Sequence, residues 1–299
     1  RPPRSTLFPY TTLFRSAILG QAMSTHKVSI TLLSDNRTAY GLEAEHGISF
    51  WIQAHDRHVL FDTGNGPVMP RNAQTLGVDL TCANDVVLSH GHYDHTGNVP
   101  FALRQAPHAH VHLHPAALRQ RYSIHEFPKP IGIPLPSAEA IDALPATQRH
   151  WVTAPATLDG GIGLTGPVPR GTGYEDTGGP FCMDTAGRQT DGIPDDLSLW
   201  VATDAGLVVC LGGCHAGVVN TLRHIIAAAG EKRIIAVVGG MHLSQATEER
   251  LARTAQAFRE LAIPHIIPCH CTGDDATAFL TRELGSTVQP GYAGMRVAF

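Results

Sequence analysis

Asp85-Val86-Val87-Leu88-Ser89-His90-Gly91-His92-Tyr93-Asp94-His95-Thr96-Gly97 is the stretch around which this chain is organised. Its first four residues read as a short buried strand, and the glycine-flanked polar residues after them as the loop at the strand's end. That loop carries His90, His92, Asp94 and His95, three imidazoles and a carboxylate within six residues. Borderline divalent metals such as zinc take these groups as ligands. Four of them on one tight loop cannot all close on a single tetrahedral ion and leave room for a substrate. The spacing suits two ions, with His90 and His92 on one and Asp94 and His95 on the other.

Upstream, Val28-Ser29-Ile30-Thr31-Leu32 alternates apolar and polar residues, as a half-buried strand does. Residues 48–52 and 58–61 read as two more strands, the second running into Asp62-Thr63-Gly64. Downstream, residues 98–104 read as a short helix and 110–114 as a strand. His108, His110, His112 and His114 recur there at period two. No acidic or cysteine partner lies nearby in sequence, so a solvent-facing or crevice-facing row is expected rather than a second metal site. From 119 to 192 regularity is lost, and residues 160–192 alone hold ten glycines. A long irregular stretch in a compact enzyme is usually functional. It is read as a lid-like insertion or specificity loop, with Tyr174, Glu175 and Asp176 its densest polar group.

Order returns with two paired strands, 197–201 and 207–211, before Gly212-Gly213-Cys214-His215-Ala216-Gly217 and an apolar helix. A buried strand, 234–238, ends at Gly239-Gly240-Met241-His242. Leu251, Ala255, Phe258 and Ala262 follow at helical spacing, a core-packing stripe. Ile266-Ile267-Pro268 leads into Cys269-His270-Cys271-Thr272-Gly273 and a last helix, 276–284. Histidines thus stand repeatedly in glycine-rich turns at strand ends, which makes His215 and His270 ligand candidates. A zinc knuckle of Cys214, Cys269, His270 and Cys271 is the rival. The two cysteines flanking His270 lack the usual ligand spacing, and alternation would point both away from the side His270 faces.

Composition narrows the function classes. A net charge of −4 leaves no basic footprint for nucleic acid, and no apolar run approaches the roughly 20 residues of a membrane span. Eighteen histidines are the outlier and invite a search for metal. Six dispersed cysteines in 299 residues are unlike a disulfide scaffold and fit a reducing compartment, the cytoplasm.

His90-x-His92-x-Asp94-His95 resembles the signature of the metallo-β-lactamase fold superfamily. Glu45-His46-Gly47, Phe61-Asp62-Thr63-Gly64, Gly213-Cys214-His215-Ala216-Gly217, Gly239-Gly240-Met241-His242-Leu243 and Cys269-His270-Cys271-Thr272-Gly273 resemble one branch of it. That branch is named for 7,8-dihydropterin-6-yl-methyl-4-(β-D-ribofuranosyl)aminobenzene 5'-phosphate synthase. Its members commonly read Gly-Cys-Ser-His where this chain has Gly212-Gly213-Cys214-His215, so the cysteine is displaced by one place while the histidine is kept.

The residues support an α/β fold. The resemblance implies an αββα sandwich with the metal site at one edge of its two sheets. It also implies two divalent ions, zinc first, with Mn2+, Fe2+ or Mg2+ as alternatives. His90, His92 and His215 would hold one ion, and Asp94, His95 and His270 the other. Asp62 would orient the metal loop, unless it is an ordinary turn aspartate. Asp94 would also hold the nucleophile, and His242 would protonate the leaving group or bind substrate, unless it merely packs. Glu45 and His46 either line the pocket or close a turn. The implied activity is hydrolysis of an ester, lactone or phosphoester of a small molecule by metal-activated water. The alternatives are a transferase that displaces diphosphate from a pterin diphosphate, and a metal-binding sensor without turnover.

The first residues look foreign. Thr6 through Ser16 resemble the translation of a common DNA-sequencing adapter, and Pro2, Pro3 and Pro9 oppose a helical targeting segment. Residues 1–22 are therefore read as a non-native leader, Met23 as the natural start, and 23–299 as one domain whose fold begins near Thr25.

Overall fold

The computed structural model describes residues 28–124 and 126–299; the expected leader and start site lie outside them. Three strands open the fold as an antiparallel meander: β1 (Val28–Ser34), β2 (Ser49–Ala54) and β3 (Arg57–Phe61). Helix α1 (Val68–Leu76) leads to β4 (Asp85–Val87), which pairs parallel to β3. The short α2 (Tyr93–Thr96) and α3 (Val99–Gln105) then bring the chain to β5 (His110–Leu113), parallel to β4.

The stretch 119–192, expected to be irregular, carries β6 (Tyr122–Ile124), β7 (Pro128–Pro130), α4 (Leu135–Asp142) and β8 (Arg149–Trp151). It also holds β9 (Ala156–Leu158), β10 (Ile162–Leu164) and β11 (Phe181–Cys182). Strands of two or three residues are too short for alternation to show in sequence. Their pairing comes from neighbouring strands already in place. Gly163 illustrates this, because a Cβ there would stand 2.0 Å from the Trp200 indole that lies across it.

The second half comprises β12 (Ser198–Thr203), β13 (Gly206–Leu211), α5 (Val218–Ala229), β14 (Ile234–Gly240) and α6 (Glu248–Glu260). It closes with β15 (His265–Cys269), α7 (Asp274–Leu284) and β16 (Arg296–Ala298). One sheet has the order β16-β1-β2-β3-β4-β5-β8 and the other β15-β14-β13-β12-β10-β9, with a small sheet β11-β6-β7 beside them.

Alternation along the strands sets the layers. Phe50, Ile52, Val59 and Phe61 of the first sheet meet Leu199, Val201, Val208 and Cys210 of the second in one core. The intervening Trp51 and Leu60 turn outward onto Met69, Ala73, Val99 and Ile141 of the helices covering the first sheet. Val209, Leu211 and Val237 turn outward onto Val218, Leu222, Ala255, Phe258 and Leu280 of α5, α6 and α7. The fold is an αββα sandwich. Parallel strands β3 and β4, and β13, β14 and β15, bring Asp62, Ser89, Gly212, Met241 and His270 to their C-terminal ends, where the site is built. Among the described residues no helix is long and apolar enough to cross a membrane.

Candidate metal centre

Two groups of donor atoms form at this edge. His90, His92 and His215 make one, and His46, Asp94 and His270 the other; within each group the ligand atoms lie within 4.8 Å of one another. In the first, His90 Nε2 stands 2.9 Å from His92 Nδ1 and 3.2 Å from His215 Nε2. In the second, Asp94 Oδ2 lies 3.1 Å from His46 Nε2 and 3.2 Å from His270 Nε2. Both reach one cavity of about 370 Å³, the first group through His92 and His215, and Tyr93, Phe181 and His242 also line it.

The protein sets the tautomers from behind. The Ser89 hydroxyl and backbone N–H donate to Asp62 (both 2.7 Å), so Ser89 Oγ accepts the Nδ1–H of His90 at 2.9 Å. His95 Nδ1 donates to Asp62 Oδ2 at 2.7 Å. His215 Nδ1 donates to the Thr177 carbonyl at 2.9 Å, and His270 Nδ1 to Asn36 Oδ1 at 2.8 Å. Each ring therefore presents a bare Nε2, which is how an acceptor behind a metal-binding histidine prepares it.

Burial, and then the neighbouring histidine charges, hold His90 and His215 well below the usual imidazole range, so both are neutral. Burial also keeps His92 far down. For Asp94 burial works the other way, but His95, His270 and His46 outweigh it and keep the carboxylate ionised. Burial opposes charge on His95 too, yet Asp62 and Asp94 raise it overall.

These residues fit a divalent cation. Two bare nitrogens 3.2 Å apart, His90 Nε2 and His215 Nε2, repel each other unless a positive charge stands between them. Tetrahedral zinc with bonds of about 2.0–2.1 Å to nitrogen spaces its ligands about 3.3 Å apart, close to what is found.

The second group differs from the set read from sequence. His46, left open between pocket and turn, supplies its third donor. His95 lines the same cavity but belongs to no group of three donors within that distance among the described residues. The Glu45 carboxylate closes a turn, accepting from the N–H groups of Asn65 and Gly66 and from Ser34 Oγ. The displaced Cys214 packs with the α5–α7 core, its sulfur 3.4 Å from Thr221 Oγ1. Cys271 lines the cavity beside His270, against the expectation from alternation, because the chain leaves β15 for a tight turn at His270. No cysteine joins a three-donor group among the described residues, so a knuckle does not form there.

His242 enters the cavity beside His215, ring centroids 4.0 Å apart. Burial, then the Arg250 charge, pull it down to about 3, so it is a neutral imidazole at pH 7. Asp62, Cys214, His242 and His270 all have positive φ, four of the seven such non-glycine residues described. Backbone strain is thus gathered at the strand ends that aim the site.

His108, His110 and His112 lie at the opposite edge, toward the N-terminal ends of β3 to β5. His112 Nε2 is 2.9 Å from Asp85 Oδ1, and His110 Nδ1 is 2.7 Å from His150 Nε2. They line a crevice of about 470 Å³, whereas His114 accepts from the Ala116 N–H in its own turn.

The sequence pattern of the Metallo-beta-lactamase superfamily matches residues 44–186. A solved structure described as a metal-dependent hydrolase of the beta-lactamase superfamily is 32% identical, covering 90% of this chain and 98% of that one at a TM-score of 0.75. The chain belongs to the metallo-β-lactamase superfamily. The chain is also 26% identical over 289 residues to the 7,8-dihydropterin-6-methyl-4-(beta-D-ribofuranosyl)-aminobenzene-5'-phosphate synthase of Methanocaldococcus jannaschii. That match covers 91% of this chain and 97% of the synthase. A metallo-beta-lactamase fold protein from Bacillus subtilis, 11% identical with a TM-score of 0.57 and covering 91% of this chain and 99% of that one, shares the fold.

Proposed function

We propose that this member of the superfamily is a metal-dependent hydrolase of a small ester, lactone or phosphoester. One observation carries the reading: two donor groups, His90–His92–His215 and His46–Asp94–His270, open side by side into a single cavity. Divalent metal at such donors, zinc first by ligand type, supplies an acidified water and a Lewis acid for the developing oxyanion. Asp94, held ionised between two imidazoles, would hold and orient the attacking water. Neutral His242 has a buried Nδ1 with no hydrogen-bond partner among the described residues, and it hydrogen-bonds the substrate. Phe181, packed 5.3 Å from the His92 ring, keeps bulk water from that side of the donors. All six cysteines are unpaired, which supports a reducing compartment, the cytoplasm.

The test is metal analysis of the purified protein beside a panel of esters, lactones and phosphodiesters. Turnover that a chelator abolishes and zinc restores is expected. Fully loaded protein that turns over none of them defeats the proposal. The Methanocaldococcus relative favours a second reading, a synthase with the same donors. Incubation with a pterin diphosphate and an aminobenzene ribosyl phosphate would then release diphosphate and give the joined product by mass spectrometry.

A further inference from the structure

We propose that Lys129 selects substrates carrying a negatively charged group, of which a carboxylate is the simplest, apart from the bond that is broken. The inference rests on the hydrolase reading and adds the substrate class. Lysine is scarce in this chain, with only Lys27, Lys129 and Lys232, and among the described residues Lys129 is the one lysine or arginine lining the cavity. The small sheet places it there. Phe181 of β11 pairs with Ser123 of β6, and Ser123 pairs with Lys129 of β7. Directly paired residues share a face, so the three form one row across the sheet, and all three line the cavity.

The row is ordered by chemistry. At one end the Phe181 ring packs 5.3 Å from His92 and 5.4 Å from His215, against the first donor group. Ser123 offers a hydroxyl in the middle. At the far end, two strand spacings or about 10 Å away along the backbone, stands the ammonium. Lys129 Nζ donates to Tyr93 Oη at 3.3 Å and lies 5.2 Å from the centre of the Tyr93 ring, which holds the cation over the cavity mouth. Among the described residues no carboxylate lies within ion-pair distance of it, and Asp94, the cavity's carboxylate, is engaged by His46 and His270. A cation held by neutral partners at the rim of a catalytic cavity keeps its charge for an incoming anion.

A matched pair of esters tests this on the full zinc-loaded chain: mono-4-nitrophenyl succinate, an anion, and 4-nitrophenyl butyrate, its neutral counterpart. Lys129→Ala is expected to raise KM for the succinate ester about fivefold to tenfold, leaving its kcat, the butyrate kinetics and the metal content unchanged. Lys129→Arg should restore the preference, and Lys129→Glu should reverse it. Equal effects on both esters, or none, overturn the proposal. Should the wild type hydrolyse neither ester, the hydrolase reading is what suffers. Lys129 is then judged by calorimetric titration with monomethyl succinate: binding that weakens in Lys129→Ala supports its role, and binding that does not change, or is absent in the wild type, ends it.

Discussion

The carbonyl of Thr177 accepts a hydrogen bond from Nδ1 of His215 at 2.9 Å, across 38 residues of sequence. The glycine-rich segment, expected from the sequence to be a lid, braces a histidine of the first donor group. Arg170 donates to the His215 carbonyl at 2.6 Å, and the Glu175 carboxylate accepts from the N–H groups of Val219 and Asn220 at the start of α5. A carboxylate there satisfies two free donors and faces the positive end of the helix dipole.

Removing Glu175 should loosen this brace. Glu175→Ala is expected to lower stability by about 2 kcal/mol and to weaken metal binding, with hydrogen exchange at Gly171 and Thr172 rising together. Both amides donate to Asn220 Oδ1, so their protection reports the brace directly. Unchanged exchange at both positions in the variant would show that the segment is held by something else.

Metal content should separate His46 from His95. Alanine at His90, His92 or His215 is expected to empty the first group, and alanine at Asp94 or His270 the second, with turnover lost in each case. The geometry places His46 with the second group, so His46→Ala should lose metal there. A His46→Ala chain that keeps its full complement, beside a His95→Ala chain that does not, would return the second ion to the set read from sequence. His110→Ala, at the opposite edge, should leave content and activity unchanged.

Gly212 is a steric requirement of the Asp62–Ser89 contact. A Cβ there would stand 2.2 Å from Ser89 Oγ and 2.8 Å from Asp62 Oδ2. Gly212→Ala is expected to push these apart, freeing the rings of His90 and His95, at about 1–3 kcal/mol of overpacking. Zinc affinity by competition with a chromophoric chelator should fall at least tenfold, about 1.4 kcal/mol. Wild-type affinity in a folded variant would refute the orienting role of that pair.

Asp85 makes acid stability testable away from the metal. Burial pushes its carboxyl up, but His112 and Arg57 outweigh that and hold it below its ordinary 3.8. A carboxylate with a depressed folded value adds stability above its unfolded value and loses it as pH falls through the folded one. Asp85→Asn should therefore cost about 3 kcal/mol at pH 7, and the gap to wild type should narrow below about pH 4. Urea unfolding at both values measures it; a gap of constant size would sink the assignment.

How much of this was legible beforehand follows from the range of each interaction. The loop from His90 to His95 announces a metal because its donors are held together by covalent neighbours, and no distant contact is needed to bring them within reach. Alternation in β1 is equally local, since successive side chains of a strand face opposite ways whatever they meet. The strands between 122 and 182 escaped because they are two or three residues long and take their register from partners elsewhere.

The sequence by itself determined that this is an α/β chain with a candidate metal-binding loop, and which strand ends bear the histidines. Only the tertiary structure brings distant donors within reach of one another. His215 Nε2 meets His90 Nε2 across 125 residues, and His46 rather than His95 joins Asp94 and His270. It also gave His112 its carboxylate, Asp85, from the neighbouring strand, and set Lys129 in line with Phe181. Each of these depends on how two sheets pack and which strands pair. Side-chain spacing along one segment carries no information about a partner that another segment delivers.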